Sequence, residues 1–421
     1  MLKELWHGTR QKVGVFMPTL RCPITCGHCL LSCTPTSGES MTPEQIGAWV
    51  AEFIDLGFSP ICLTGGEPFL CPKVLEAASA VCADRSVPLV VQTNGFWARS
   101  TEGGRRMLAG IPAIAQLGFS VDYAHLRFLP REVIEKGLYL AYERGILNLS
   151  LSISYQTTAE QEEIESYFRR RFPRLTVDAW PITPIGRALD NPDLRCEYEE
   201  YSWDFLPRSC EAQQCFTPLV YPNGDVHLCY HLLMCLGPGD PFLLGNLRER
   251  SFAQMMDDLS DPLYSFVAAY GGGSLGYLLE EAAPEFLGKR YQRVCQLCYA
   301  VFSQPRLVAH LREILSLPPF LQKMQEMLQF RVTNAPAAVA GTKTKLIVCR
   351  GKNCMGHKKN AHLKNYLTNR LLDGGKLKSV AVEGVDCMKL CKEGPNLRLG
   401  EEGDLISHVD VTRINTLIEA L

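Results

Sequence analysis

No apolar run in this 421-residue chain approaches the ~20 residues that a membrane-spanning helix needs. The first twenty residues carry no charged, apolar and cleavable succession of the signal-peptide kind, so the expectation is a cytoplasmic protein without a membrane partner. Charge of one sign is missing too: 43 Lys and Arg against 45 Asp and Glu leave a formal net charge of −2. That balance gives no general attraction for nucleic-acid phosphates or an anionic membrane surface, and the locally basic FRRRFPR (168–174) reads as a solvated helix end. There are no internal repeats or low-complexity tracts, and no Ser-His-Asp, HExxH or Walker pattern offers a hydrolytic or nucleotide site.

Cysteine, by contrast, is abundant, with 18 residues in close groups. In a reducing cytoplasm such groups point to metal or cluster ligation ahead of disulfides. The hydrophobic content of 46% and charged content of 21% are those of a globular chain, and the length calls for two or three cores.

Residues 13–186 alternate strand-like and helix-like segments. VGVFM, PICLTGG, PLVVQTNG, LGFSVD, ILNLSLSIS and LTVDAWPI are short apolar runs, each stopped by Gly, Asp, Ser or Pro. Between them, TPEQIGAWVAEFIDLG sets Ile46, Trp49, Val50, Phe53 and Ile54 on one helical face, with Thr42 and Gln45 as a capping box and Pro43 at the first helical position. TTAEQEEIESYF has Thr158 and Gln161 at the same spacing. Six such units predict an α/β sheet or partial barrel over residues 1–189, with its ligand site at the carboxyl ends of the strands. A cysteine-bearing domain is expected over 190–333, a linker over 334–343, and a compact α+β module over 344–421.

Cys22, Cys26 and Cys29 follow C-x3-C-x2-C directly after the first strand. A loop there can curl three thiolates around one cubane, leaving one iron without a protein ligand, and Gly27 lets the backbone approach. This triplet, in this place, resembles the signature of the radical S-adenosylmethionine (radical SAM) superfamily. The resemblance implies a partial (β/α)6 barrel, a 4Fe-4S cluster on the three cysteines and S-adenosylmethionine chelated at the open iron. His28 stands where the usual pattern has an aromatic, and is also readable as a ligand; Cys33 reads as a packing thiol near the triplet.

The segment Thr64, Gly65, Gly66, Glu67 ends the second strand and resembles the family's GGE motif, whose glycines face the amino end of S-adenosylmethionine while the carboxylate accepts from its ammonium. Thr93 and Asn94, Ser120 and Asp122, and Ser152 close the next three strands at positions that resemble those holding the ligand's ribose and methionine parts. Arg187, in PITPIGRALDNPD, either reaches the ligand's carboxylate or caps a surface.

In the middle domain, Cys210, Gly224 and Cys229, followed by Cys295 and Cys298, resemble the SPASM or shorter twitch extension, in which a hairpin and a helix bind auxiliary 4Fe-4S clusters. The spacing favours one cluster on Cys210, Cys229, Cys295 and Cys298, with Cys215 the rival to Cys210 and Cys235 a neighbouring thiol or substitute ligand. Cys349, Cys354, Cys387 and Cys391 follow two strands of the terminal module and resemble the ligands of thioredoxin-like 2Fe-2S ferredoxins. Four-thiolate zinc is the alternative at both places.

The three resemblances imply an enzyme that reductively cleaves S-adenosylmethionine to a 5′-deoxyadenosyl radical and abstracts hydrogen from a substrate C–H bond. The substrate is expected to be a peptide or protein, modified oxidatively or cross-linked; the alternative is dehydrogenation or epimerisation of a small natural-product intermediate such as a sugar or amino acid. Only about twenty residues precede the triplet, too few for the winged-helix peptide-binding domain of many peptide-modifying relatives. A flavodoxin or ferredoxin-type protein is the expected electron donor, with the terminal cluster as a wire to it. A third reading, a non-catalytic iron–sulfur electron carrier, leaves the GGE strand end and the open-iron triplet without a purpose.

Overall fold

The computed structural model describes residues 11–194, 215–229, 240–291, 293–319, 344–349, 380–385, 397–399 and 405–406, with single positions at 203, 206, 236, 367, 371 and 417. Cys210, Cys235, Cys354, Cys387, Cys391 and the linker 334–343 lie outside the described residues, as do the side chains of Cys215 and Cys349.

The six expected strands are present as β2 (Gly14–Phe16), β3 (Ile61–Leu63), β4 (Leu89–Thr93), β5 (Ile114–Ser120), β6 (Asn148–Tyr155) and β7 (Thr176–Pro181), numbered after a short β1 (Gln11–Lys12). All six run parallel, each paired with the next in sequence. All three residues of β2 are buried, β3 and β4 alternate buried with half-buried positions, and β6 alternates apolar residues with serines.

The connecting helices are α1 (Pro43–Asp55), α2 (Pro72–Asp84), α3 (Thr101–Ala109), the one-turn α4 (Tyr123–Leu126), α5 (Arg131–Glu143) and α6 (Thr158–Arg169). The Thr42–Gln45 capping box starts α1, which buries Ile46, Trp49, Val50 and Phe53. Phe53 then meets Phe16 at 5.0 Å and Phe58 at 4.8 Å between ring centroids. The box expected at Thr158 and Gln161 sits one residue earlier, on Thr157 and Glu160. Glu160 places a carboxylate in the first turn, where the helix dipole favours negative charge, whereas Gln161 bonds onward to Glu165.

Beyond β2 the sheet continues into the cysteine-bearing region. A hairpin of β9 (Leu219–Val220) and β10 (Asp225–His227) attaches β9 parallel to β2, and β11 (Leu243–Asn246) closes that edge, giving the order β11-β10-β9-β2-β3-β4-β5-β6-β7. The expected YPNGDV turn joins the hairpin, with Gly224 at φ +92°. A two-residue β8 (Cys215–Phe216) pairs with β1, and α7 (Phe252–Asp258) follows β11.

By its contacts the chain divides into two compact units. One comprises Leu2–Tyr198 with Gln214–Ser260, the strands and helices above. The other comprises Met1, Glu199–Gln213 and Asp261–Leu421. It contains α8 (Pro262–Tyr270), α9 (Leu275–Ala282), α10 (Val294–Phe302) and α11 (Pro305–Ser316), with Asp261 capping α8 and also receiving Arg312 from α11. Its four-stranded sheet has the order β13-β12-β14-β15, from β12 (Thr344–Cys349), β13 (Val380–Val385), β14 (Leu397–Leu399) and β15 (Leu405–Ile406). β12 and β13 are parallel and the other pairings antiparallel. Among the described residues no helix is long and apolar enough to cross a membrane.

Candidate active site

Directly after β2 the chain forms a loop that turns Cys22, Cys26 and Cys33 inward, buried with Ile24 and Leu129, while Cys29 packs beside them half-buried. Burial pushes the Cys22 thiol up to about 12, and the neighbouring Cys26 and Cys29 add to the rise. Cys29 is held low, at about 5, chiefly by the hydrogen bond from the Cys33 thiol; the Cys33 thiol is correspondingly raised far above its ordinary value. The Cys33 backbone N–H also donates to Cys29 Sγ at 3.3 Å.

The glycines of the second strand end have a specific structural task. A Cβ on Gly66 would fall 2.2 Å from Arg21 O, and one on Gly65 2.7 Å from Thr19 O. In their place the N–H groups of Gly66 and Glu67 donate to Thr19 O (2.9 Å) and Arg21 O (2.8 Å), fastening the cysteine loop to the end of β3. Thr64 lies just before them, its N–H on Phe16 O.

Glu67, expected to receive a ligand ammonium, is fully buried and already accepts three protein donors. These are Phe69 N (3.1 Å), Thr93 Oγ1 (2.8 Å) and Asn94 N (2.7 Å). Desolvation raises its carboxyl to about 7 despite these donors. Thr93 also accepts from Trp97 Nε1 at 3.2 Å, and the Asn94 side chain donates to Cys22 Sγ at 3.5 Å. The ends of β3 and β4 are thus tied together behind the first cysteine.

At the end of β5, Asp122 is buried and caps the one-turn helix α4 by accepting from His125 N at 3.0 Å. Its Oδ2 lies 2.8 Å from His125 Nδ1 and 3.2 Å from His28 Nε2, and the two imidazoles meet edge to face at 5.2 Å. Burial opposes charge on Asp122, but the histidines hold its carboxyl well below the ordinary range. Burial would lower His125, yet the charge of Asp122 and hydrogen bonds to Asp122 and Cys26 raise it well above the usual imidazole range. One ligand atom from each of His28, Asp122 and His125 lies within 4.8 Å of the others.

Ser120 and Ser152 are register partners on β5 and β6, with Ser120 Oγ receiving Gln92 Nε2 at 3.2 Å. Arg187 is turned to the cysteine loop: its guanidinium donates to Cys26 O and Cys33 O, and its N–H to Cys29 O at 3.0 Å. Gly186 makes this approach possible, at φ +61° with a Cβ position 2.2 Å from Leu30 O.

Elsewhere, Cys229 is half-buried just past β10, where His227 pairs with Asp240 at 2.6 Å. Cys295 and Cys298 lie one turn apart on α10, and a Cβ on Gly272 would fall 2.4 Å from Cys298 Sγ. The roles of His125, and of Asn94 and Arg187 toward the cysteine loop, have no local signature, because each depends on residues far away in sequence.

The loop after the first strand of the parallel sheet packs Cys22, Cys26 and Cys29 into one cluster beside the ends of the following strands. Three sulfurs with N–H donors around them suit iron–sulfur ligation. Residues 16–167 match the Radical SAM superfamily. The chain is similar to GTP 3′,8-cyclase of Crocosphaera subtropica, 27% identical over 194 residues, which is 43% of this chain and 56% of that protein. It spans just over half the length of the curated relatives it matches. Among solved structures, Streptococcus suis SuiB bound to S-adenosylmethionine is 16% identical, covering 70% of this chain and 79% of that one with a TM-score of 0.41. The enzyme anSMEcpe with bound AdoMet and Cp18Cys peptide is 12% identical, covering 72% and 99% with a TM-score of 0.45. The segment that carries the cysteine loop and the strand ends beside it lies within the part of the chain that matches this superfamily.

Proposed function

We propose that this enzyme uses S-adenosylmethionine to abstract hydrogen from a C–H bond of a peptide or protein and leaves that substrate oxidised or cross-linked. The observation that carries the reading is the convergence of Cys22, Cys26 and Cys29 at the end of β2, fastened to the GGE strand end beside them. When bound there, a 4Fe-4S cluster with S-adenosylmethionine supplies a 5′-deoxyadenosyl radical. The chain's part is to hold the three thiolates, to line the pocket with Thr64, Gly65, Gly66, Thr93, Asn94, Ser120, Asp122 and Ser152, and to keep water away from the reacting carbon. Glu67 and Arg187 serve the same ligand by fixing the loops around it.

Two further groups of thiols extend the reading. Cys295 and Cys298, one turn apart on α10, are assigned to an auxiliary 4Fe-4S cluster of the SPASM or twitch kind. Cys349, Cys354, Cys387 and Cys391 are assigned to a 2Fe-2S cluster that passes electrons from a flavodoxin or ferredoxin-type donor. In favour of the latter, Cys349 is the register partner of Val385 on the adjacent parallel strand, so the two strands that precede the cysteine pairs end level with each other.

The test is co-expression with a candidate short peptide, read by mass spectrometry. Loss of hydrogens from the peptide with the intact enzyme, and none with Cys26→Ala, is the expected result. An unchanged peptide, with hydrogen instead lost from a sugar or amino acid, would move the substrate to the small-molecule class.

A further inference from the structure

Two sulfurs of the triplet each receive one N–H, from different parts of the fold. For Cys29 the donor is the loop's own backbone, Cys33 N at 3.3 Å. For Cys22 it is Asn94 Nδ2 at 3.5 Å, from the end of β4. The Asn94 donor is not free to turn away. Asn94 Oδ1 accepts from Phe96 N at 3.0 Å, which fixes the amide so that its NH2 faces the sulfur, and its backbone N–H is on Glu67 Oε2.

We propose that Asn94 is a positioning residue that sets the reduction potential of the cluster held by Cys22, Cys26 and Cys29, through its N–H···S contact to Cys22. The inference rests on the reading that the triplet holds this cluster. An N–H directed at a ligating sulfur withdraws negative charge, and therefore favours the reduced state, which carries one more electron.

The experiment uses the full chain, reconstituted anaerobically with iron and sulfide, in a redox titration followed by electron paramagnetic resonance. The signal followed is the one that changes when S-adenosylmethionine is added. Asn94→Leu is expected to keep its iron and to move the midpoint negative by a tenfold change in the reduction equilibrium or more, about 59 mV for a one-electron couple. If the leucine variant loses iron, Asn94→Asp carries the test, since it keeps the shape and exchanges the donor for a negative oxygen; its midpoint is expected to fall further. Bound iron with an unchanged midpoint in these variants overturns the proposal. A wild-type protein with no signal responsive to S-adenosylmethionine would instead remove the functional reading beneath it.

Discussion

Arg187 Nη1 lies 2.5 Å from the backbone oxygen of Cys26, a contact across 161 residues of sequence. Its Nη2 is 2.6 Å from Cys33 O, so one guanidinium fork spans both ends of the segment that carries the second and third ligand thiols. The last segment of the barrel thereby closes on the loop that opens it.

Replacing that fork loosens the loop. Arg187→Ala is expected to cost roughly 1.5–3 kcal/mol, the range for a hydrogen bond to a charged group, and to lower the iron retained after reconstitution. Arg187→Lys keeps the charge but not the fork, so it should fall between the two. Urea unfolding of the iron-free chain and iron counting check this together.

The two glycines Gly66 and Gly47 separate close approach from mere composition. A Cβ at position 66 would meet Arg21 O at 2.2 Å, whereas at position 47 nothing lies within 4 Å. Gly66→Ala is expected to displace the cysteine loop, cost about 1–3 kcal/mol and reduce iron binding. Gly47→Ala, in the helix α1, is expected to stabilise by up to about 1 kcal/mol and leave iron binding unchanged. Thermal unfolding and iron content distinguish the pair.

Much of this was legible in the sequence because it is written locally. The six parallel strands show as short runs stopped by Gly, Asp, Ser or Pro, and the cysteine triplet is closely spaced. The capping box of α6 slipped by one residue because Thr157 and Thr158 offer the same spacing, and only first-turn charge favours Glu160. Asn94 reaches Cys22 across 72 residues, so its donor role emerges only when β4 is placed beside β2 and β3. Glu67 and Arg187 were read toward a ligand because their charges complement its termini. The fold gives each of them protein partners, which no spacing rule reports.

Glu67 also makes a prediction in pH. Its carboxyl sits at about 7 in the fold, above the unfolded value of 4.5, because burial penalises the charged form. The folded state therefore binds more protons than the unfolded state between those values. This contribution to stability is complete below pH 4.5 and is lost as pH rises through about 7; the loss is on the order of 3 kcal/mol. Glu67→Gln should flatten that part of the profile, as thermal unfolding of the iron-free full chain from pH 5 to 8 would reveal.

The open-iron reading of the triplet is tested most directly by mixing the anaerobically reconstituted full chain with S-adenosylmethionine and dithionite and measuring 5′-deoxyadenosine. The wild-type protein is predicted to form it, and the variants Cys22→Ala, Cys26→Ala and Cys29→Ala are each predicted to form none. A wild-type protein with its iron in place that yields no 5′-deoxyadenosine, or a triplet variant that yields as much as wild type, would contradict the account.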